Sequence, residues 1–294
     1  MADHGPRPAP VPRPDIVHPE VEPGAAGVAE RELGLLARLR DNEAARRAFV
    51  VLVLAAAWEA YGRWLANDLI FPTLGQTLAA FWDAAARGPL VDRVLTSLRV
   101  LSLGYAAGIL LAGVFTTLAV TTRFGTDLLS TLTAMFNPLP AIALLPLALL
   151  WFGLGLPSLV FVIVHSVLWA VALNTHTGFL AVPETLRMAG RNVGLRGIPY
   201  VALILVPAAF PSILAGLKIG WAFAWRTLIA AELVFGVSSR TGGLGWYIFE
   251  NRNQLETANV FAGLLAVIGI GLLVESVVFR VIERATVRRW GMLR

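Results

Sequence analysis

The chain has 294 residues, of which 57% are hydrophobic and 15% carry a charge, and its mean hydropathy is +0.70. A soluble domain averages about 45–50% apolar and about 25% charged residues, so this composition predicts an integral membrane protein. The absence of cysteine excludes a disulfide framework, a thiolate metal site and thiol catalysis. The net charge of +5 comes from basic residues that flank apolar segments, which indicates a positive-inside topology in contact with lipid and not nucleic-acid binding.

The first 47 residues precede every long apolar run. Residues 1–28 contain seven prolines and few large apolar side chains, which predicts a disordered cytoplasmic tail. Residues 29–47 place leucines at helical spacing opposite arginines, which predicts an amphipathic helix on the inner membrane surface. Arg46 and Arg47 then fix the N-terminus in the cytoplasm.

Six apolar runs follow, at about 48–66, 97–120, 128–152, 158–179, 205–235 and 258–279. Between the first two, a helix from Leu74 to Arg87 is expected outside the membrane. The basic residues after the last run, from Arg280 to Arg289, fix the C-terminus in the cytoplasm. We therefore predict an all-α integral membrane protein with six transmembrane helices. We divide it into the tail 1–28, the amphipathic helix 29–47, the first span with its outer segment 48–96, a five-helix core 97–285 and a basic tail 286–294.

The second and third runs contain residues that shape helix packing. Gly104 and Gly108 allow a close approach of two helices, and ordinary packing is favoured over gating. Pro138, Pro140 and Pro146 in the third run leave backbone carbonyls without partners, and in lipid these carbonyls must face protein or a water-lined cavity. The third run is therefore expected to lie along a pathway.

Residues 182–207, between the fourth and fifth runs, form a basic amphipathic segment. Its charged residues are Glu184, Arg187, Arg191 and Arg196. Such an excess of basic residues marks the cytoplasmic side. Gly194 in the middle and Pro207 in the next apolar run predict two short helices with a bend at Gly194 and then a kink. A bent helical pair at a membrane surface indicates a docking site.

Ionisable residues inside spans are costly and usually paired or pathway-lining. Arg226 and Glu232 are six residues apart in the fifth run, so they face different sides of a helix and each is expected to find a partner on another helix. Arg226 is a candidate for attracting an anion, with a structural ion pair as the alternative. Lys218 and Glu59 are expected to snorkel toward the membrane surface.

His165 lies inside the fourth run. The nearest histidine, His176, lies about 16 Å further along a helix. A hydrogen-bonded core histidine is therefore favoured over a metal ligand.

The loop resembles a known signature. Met188-Ala-Gly190, then Gly194, then nine residues to Ile204-Leu-Val-Pro207 match the spacing of the EAA loop of ABC importer permeases, which reads E-A-A, three residues, Gly, nine residues and I-x-L-P. Met188 stands where the family has Glu, and Gly190 replaces the second Ala. Glu184, one helical turn earlier, could supply the missing charge on the same face.

The resemblance extends over residues 70–285, to the nitrate/sulfonate/taurine branch of these permeases. The segments that carry it are Ser97-Leu-Arg99, Pro138-Leu-Pro140, Leu145-Pro146-Leu, Trp151-Phe-Gly-Leu-Gly155, Asn174, Ala231-Glu232-Leu233 and Gly243-Leu-Gly245. Together with the loop and the six-span topology, these segments make the resemblance specific.

The resemblance implies a type I ABC importer permease of a bacterial inner membrane, with no catalytic centre, metal or cofactor of its own. Its loop would dock on a separate ATPase, present in two copies, and convert ATP-driven closure into alternating access. A periplasmic binding protein would deliver a small anion such as nitrate, a sulfonate, taurine or bicarbonate. The chain has no GxxxxGK[ST] phosphate loop. It has one EAA-like loop where a two-fold transporter needs two, so a homodimer is expected.

The resemblance also assigns roles to residues. Those expected to couple to the ATPase are Glu184, Arg187, Met188, Ala189, Gly190, Arg191 and Gly194. Those expected to line the pathway are Pro138, Pro140, Pro146, Asn174, Arg226 and Glu232. For Arg187 and Arg191, the ordinary role of basic residues beside a membrane is an equal alternative.

Three other classes were weighed. An ion-coupled secondary transporter would need broken helices in two corresponding halves, and one proline-rich span has no counterpart. A membrane enzyme would need a cluster of His, Asp and Glu that four scattered histidines do not supply. A non-transporting assembly subunit leaves the bent loop unexplained.

Overall fold

The structure is a computed structural model that describes residues 42–234 and 242–291. The tail predicted at 1–28 and most of the amphipathic helix predicted at 29–47 lie outside the described residues. So do residues 235–241, between the main parts of the fifth and sixth predicted runs, and the last three residues. The described residues form helices joined by turns and contain no strand.

The contacts divide the chain into two units, Met1–Leu54 and Ala55–Arg294. In the first unit, the described residues begin helix α1 (Glu43–Leu65), which continues past the boundary. Asn42 caps this helix, because its side-chain oxygen accepts the N–H of Ala44 at 2.9 Å. The second unit contains the remaining helices and is described by itself below.

The second unit contains ten further helices among its described residues. They are α2 (Leu74–Ala86), α3 (Leu90–Thr121), α4 (Arg123–Phe136), α5 (Leu145–Phe152), α6 (Leu156–Leu180), α7 (Glu184–Asn192), α8 (Gly197–Ala208), α9 (Phe210–Val234), α10 (Leu244–Asn253) and α11 (Thr257–Arg288). A 3₁₀ turn, Ala141–Leu144, leads into α5. Both α8 and α11 contain π-helical turns.

Five of the described helices are long and apolar enough to cross a membrane, namely α1, α3, α6, α9 and α11. The third predicted span, at about 128–152, is not one helix. Its two parts, Arg123–Phe136 and Ala141–Phe152, meet at an angle of 88°. The prolines explain this correction, because Pro138 and Pro140 have no N–H to continue the helical bonding. The chain turns instead through a bond from the Leu139 N–H to the Phe136 carbonyl at 3.1 Å.

Helices α3 and α6 pack in parallel through small residues. A Cβ built on Gly104 would lie 2.6 Å from Cγ2 of Ile163, and one on Gly108 would lie 2.7 Å from Cβ of Val167. These glycines therefore allow the close approach that the sequence predicted. Because α3 and α6 run in the same direction, the bent pair between them must bring the chain back across, so it counts as one broken span.

Helix α9 runs antiparallel to both α3 and α6. The hydroxyl of Tyr105 on α3 donates to the carbonyl of Leu217 on α9 at 2.8 Å. On the α6 side, the Ser166 and Thr227 hydroxyls lie 2.8 Å apart. The helix pairs α6–α9 and α3–α6 enclose the main core, whose fully buried members include Leu101, Ile163, Val167, Ala224 and Leu228.

Helix α11 packs antiparallel on α9. The indole N–H of Trp225 donates to the carbonyl of Val267 at 3.2 Å. Nearer the other end, Lys218 forms an ion pair with Glu283 at 2.7 Å. The expectation that Lys218 snorkels stays a prediction, and the structure adds that a carboxylate on the neighbouring helix holds its ammonium group.

These directions define two ends of the second unit. One end carries α2 and α10, and the other carries α7 and α8. At the first end, Glu59 accepts the N–H of Gly75 at 3.1 Å and pairs with Arg63 at 2.7 Å. Glu59 therefore holds the first turn of α2 against α1, which corrects the expectation that it only snorkels.

Candidate functional site

Two places in the second unit gather the residues that the sequence singled out. One is the segment from Val182 to Ala209, which contains α7 and α8 and which we call the α7–α8 segment. The other is a cavity beside the break between α4 and α5, which we call the break cavity.

Helix α7 ends at a left-handed glycine. Gly194 has φ +82°, its N–H donates to the Arg191 carbonyl at 3.0 Å, and the next N–H, of Leu195, donates to the Gly190 carbonyl at 3.1 Å. This pair of bonds is a Schellman motif, which favours glycine at the left-handed position. No atom lies within 4 Å of a Cβ built on Gly194, so the requirement for glycine is conformational. The predicted bend at Gly194 is confirmed.

Gly190 brings α7 directly onto α8. A Cβ at this position would lie 2.8 Å from Cγ1 of Ile204 and 3.3 Å from the ring of Tyr200. A side chain larger than hydrogen would therefore separate the two helices. This packing accounts for glycine at the position where the signature has alanine.

Arg187 turns inward, with only 18% of its side chain exposed. Its guanidinium donates to the carbonyls of Phe179 and Val182 at the end of α6, the latter at 3.1 Å. A cation at this position satisfies carbonyls that the helix leaves unpaired. Arg187 thus joins α7 to the end of α6.

The opposite face of α7 is open and mixes charge with apolar surface. Glu184 and Arg191 lie 3.7 Å apart, and both are exposed. Among them Met188 is 48% exposed and Val193, at the end of the helix, is 75% exposed. Ala189 is exposed as well. Such a face, apolar in part and rimmed by charge, is typical of a protein-binding surface.

The α7–α8 segment is fixed to the spans by a small buried cluster. Phe179 of α6 packs with four residues of the segment, namely Val182, Val201, Leu205 and Ala209. Each is 6% exposed or less. A displacement of the α7–α8 segment must therefore move the adjoining ends of α6 and α9.

The break cavity has a volume of about 400 Å³. It is bounded by the chain between α4 and α5 and by one face each of α6 and α9. Its lining residues are Asn137, Pro138, Leu139, Pro140, Ala141, Ile142, His165, Ser166, Trp169, Phe223, Arg226, Thr227 and Ala230. The positions from α9 recur at intervals of three and four, which places them on one side of that helix.

Arg226 is the cation of this cavity. Its Nε donates to the Ala222 carbonyl at 2.9 Å, and its guanidinium carbon lies 5.1 Å from the centre of the Phe223 ring. Within residues 42–234 and 242–291 it forms no ion pair. The partner on another helix that the sequence predicted for Arg226 is therefore not found there.

His165 differs from the expected hydrogen-bonded core histidine. Both of its ring nitrogens are buried without a hydrogen-bond partner among the described residues, and so is the indole nitrogen of Trp169. The His165 ring meets the rings of Phe136 and Trp169 edge to face, with centroids 6.3 and 6.2 Å apart. The part of the chain that the structure describes has no group of three potential metal ligands.

Three of the predicted pathway residues, Pro138, Pro140 and Arg226, line the break cavity, and Pro146, Asn174 and Glu232 do not. Sequence reasoning treated His165 only as a core histidine and did not single out Trp169. Their spacing of four on an apolar helix, with Ser166 beside them, was the available signal.

Glu232 lies instead in a closed cluster near the other end of α9. Its carboxylate accepts the Ser97 hydroxyl of α3 and the N–H of Gly245, each at 2.8 Å. The same hydroxyl oxygen accepts the N–H of Leu244 at 2.8 Å. The predicted interhelical partner of Glu232 is confirmed, and it is a hydroxyl and not a cation.

Comparison with known proteins finds a matching protein family. The sequence model of the family described as "Binding-protein-dependent transport system inner membrane component" matches residues 104–290, which is more than half of the chain. A putative aliphatic sulfonates transport permease protein of Escherichia coli is 28% identical, over 82% of this chain and 90% of its own.

Two further relatives have a similar level of identity. A nitrate import permease protein of Synechocystis is 29% identical, over 78% of this chain and 85% of its own. A taurine transport system permease protein of Escherichia coli is 28% identical, over 77% of this chain and 82% of its own. The matched region contains both the α7–α8 segment and the break cavity.

Proposed function

The chain belongs to the family of binding-protein-dependent transport system inner membrane components, and we propose that it couples solute passage to ATP hydrolysis by a separate ATPase subunit. As an ABC importer permease it is a membrane transport component and not an enzyme. The observation that carries the proposal is the α7–α8 segment, a bent helical pair whose outer face has no role in the packing of the second unit.

The proposed docking surface is the open face of α7. Glu184 and Arg191 supply charge there, and Met188 and Ala189 supply apolar contact. Gly194, Gly190 and the inward-turned Arg187 hold this face in position and do not contact the ATPase. In this proposal Met188 replaces the acidic contact of the family signature by an apolar one, and Glu184 supplies the charge one turn earlier.

The route from docking to transport follows the buried cluster. Movement of the ATPase displaces α7, which is joined to the end of α6 through Arg187 and to α8 through Gly190, and α8 in turn packs on Phe179 of α6. Helices α6 and α9 also form two walls of the break cavity. A shift at one end of these helices would therefore change the cavity, which is what alternating access needs.

The proposed solute is a small anion delivered by a periplasmic binding protein. Three relatives are named for the transport of sulfonates, nitrate and taurine, all of which carry a negatively charged group with several oxygens. The cation Arg226 at the break cavity fits this charge.

The proposed assembly is a homodimer with two ATPase subunits, and α7 faces the cytoplasm. The chain supplies one α7–α8 segment, so two copies give two docking sites. The ion pair of Lys218 and Glu283 places the end of α11 at the same end as α7. Both places are rich in arginine, and on this ground we propose that they and the two termini lie on the cytoplasmic side.

The proposal is tested by co-purification with candidate ATPase subunits in lipid nanodiscs, comparing Gly194→Val with Gly153→Val. Gly153 also has a positive φ, +73°, and open space around its Cβ position, but it lies at the opposite end of the spans. We expect Gly194→Val to weaken the complex and its ATPase activity, and Gly153→Val to leave both intact. Equal effects of the two variants, or a wild-type chain that never binds an ATPase, would refute ATP coupling through α7.

A further inference from the structure

We propose that the break cavity is a binding site for a small oxoanion, held by the guanidinium of Arg226, with His165 and Trp169 supplying further N–H donors. The inference rests on the proposed function and deepens it, because it places the solute at named residues inside the membrane. It also gives a role to three polar side chains whose positions the packing of the helices does not explain.

The first step is the charge of Arg226. A charged side chain inside a span is costly, and such residues pair with one another or line a pathway. Arg226 forms no ion pair within the described ranges, and its known contacts are one carbonyl of its own helix and the face of Phe223. Guanidinium groups are suited to planar, paired recognition of oxygen atoms in anions. An oxoanion would therefore supply the counter-charge that the described protein lacks.

The second step is the unpaired donors on α6. A buried polar group without a hydrogen bond destabilises a protein, and buried polar groups in native proteins are rarely left in this state. His165 and Trp169 together present three such nitrogens beside the cavity, of which the indole nitrogen and one nitrogen of the neutral imidazole carry a hydrogen. A bound anion would give these N–H groups an acceptor.

The third step is the sign of the cavity. Among the described residues that line it, none is acidic, and Arg226 is a full positive charge. A second cavity of about 340 Å³, between α2, α10 and the start of α11, offers a contrast because three acidic residues, Asp83, Glu250 and Glu256, line it beside a single cation, Arg93. An anion would be repelled there and attracted at the break cavity.

The fourth step is size. A volume of about 400 Å³ exceeds that of nitrate or methanesulfonate with several waters, since one water occupies about 30 Å³ of liquid. The polar side chains of Asn137, Ser166 and Thr227 on the walls can bind such waters. The site therefore suits a class of small oxoanions and does not by itself select one of them.

The test is saturation-transfer NMR of methanesulfonate with the full-length chain in nanodiscs of zwitterionic lipid. The methyl signal of this probe reports weak binding directly. Dimethyl sulfone is the neutral probe of similar shape, and empty nanodiscs report adsorption to lipid. We expect methanesulfonate to bind, nitrate to compete with it, and dimethyl sulfone to bind at least about tenfold more weakly, since a charge-assisted hydrogen bond is much stronger than a neutral one.

The variants locate the site. Arg226→Gln should weaken binding of methanesulfonate about tenfold or more, while Arg226→Lys should keep part of it. Arg99→Gln is the matched control, because Arg99 is also exposed on a spanning helix but does not line the break cavity. His165→Phe and Trp169→Phe keep the aromatic packing and remove the donors, and each should weaken binding by about threefold to tenfold.

The outcomes separate this inference from the proposed function. If Arg226→Gln assembles with the ATPase but binds the probe as tightly as wild type, the site is elsewhere and the inference is overturned, while ATP coupling stands. If wild type assembles and transports but shows no saturation transfer to methanesulfonate beyond empty nanodiscs, the inference is also overturned. If Arg226→Gln loses probe binding and Arg99→Gln does not, the inference is supported, whether or not an ATPase binds α7.

Discussion

The carboxylate of Glu232 accepts a hydrogen bond from the hydroxyl of Ser97 at 2.8 Å, across 135 positions of the chain. It is 3% exposed. At the start of α10, the Ser97 hydroxyl oxygen accepts the N–H of Leu244 and the Glu232 carboxylate accepts the N–H of Gly245. One buried carboxylate thus joins the helices α3, α9 and α10 at the end opposite to α7.

Removal of either member of this pair is expected to destabilise the second unit, and the two losses should not add. Glu232→Ala leaves the Gly245 N–H and the Ser97 hydroxyl unpaired, which costs about 2–4 kcal/mol. Ser97→Ala leaves the Leu244 N–H unpaired, which costs about 1–3 kcal/mol. Thermal unfolding in nanodiscs, followed by tryptophan fluorescence, measures both variants and the double variant. Additive losses would mean that the carboxylate and the hydroxyl do not act as one unit.

The parallel contact of α3 with α6 gives a second prediction. Gly108→Ala forces its methyl group against Val167, where the built Cβ lies 2.7 Å away, and we expect a loss of about 1–3 kcal/mol from overpacking. Gly113→Ala on the same helix is the control, since no atom lies within 4 Å of its Cβ position. Alanine is the better helix former, so this control should be neutral or stabilising by up to about 1 kcal/mol. Equal melting temperatures for the two variants would argue against a close α3–α6 contact at Gly108.

The sequence predicted the spans well because apolar length is read directly from composition. It also predicted the bend at Gly194, since glycine at a helix end has a local conformational cause. It placed Pro138 and Pro140 beside a cavity from the bonding that proline removes. It did not predict the 88° angle, because the direction taken after a break depends on what α6 and α9 leave open.

The sequence predicted the partners of charged side chains less well than it predicted the spans. Lys218 and Glu59 were expected to snorkel, and the sequence did not predict that Lys218 meets Glu283 on α11 or that Glu59 meets Arg63 and the first turn of α2. Periodicity gives the face of a helix and not the helix that covers it. His165 was expected to be hydrogen-bonded for the same reason, since no local residue indicates what packs around its ring.

Alanine substitutions of Arg187 and Arg191 are expected to affect different properties, the first mainly stability and the second mainly docking. Arg187→Ala exposes two carbonyls at the end of α6 and should cost about 1–3 kcal/mol. Arg191→Ala removes an exposed ion pair with Glu184 and should change stability by about 0.5 kcal/mol or less. Thermal unfolding of the isolated chain checks this difference.

The same two variants are then measured for ATPase binding at matched folded fraction. Arg191→Ala should weaken the complex although it melts normally, because its side chain lies on the open face of α7. If Arg191→Ala binds the ATPase as wild type does, the docking surface is not this face.

Gly190 and Ile204 provide a test of the contact between α7 and α8. Gly190→Ala restores the residue that the family signature has here, yet its Cβ would lie 2.8 Å from Cγ1 of Ile204. We therefore expect a loss of about 1–2 kcal/mol and a weaker ATPase complex, since α7 would be pushed away from α8. Ile204→Ala removes the opposing atom, so the double variant should be more stable than the sum of the two single losses predicts. A neutral Gly190→Ala would mean that α8 yields without cost, and the close packing of α7 would then not be what holds the docking face in position.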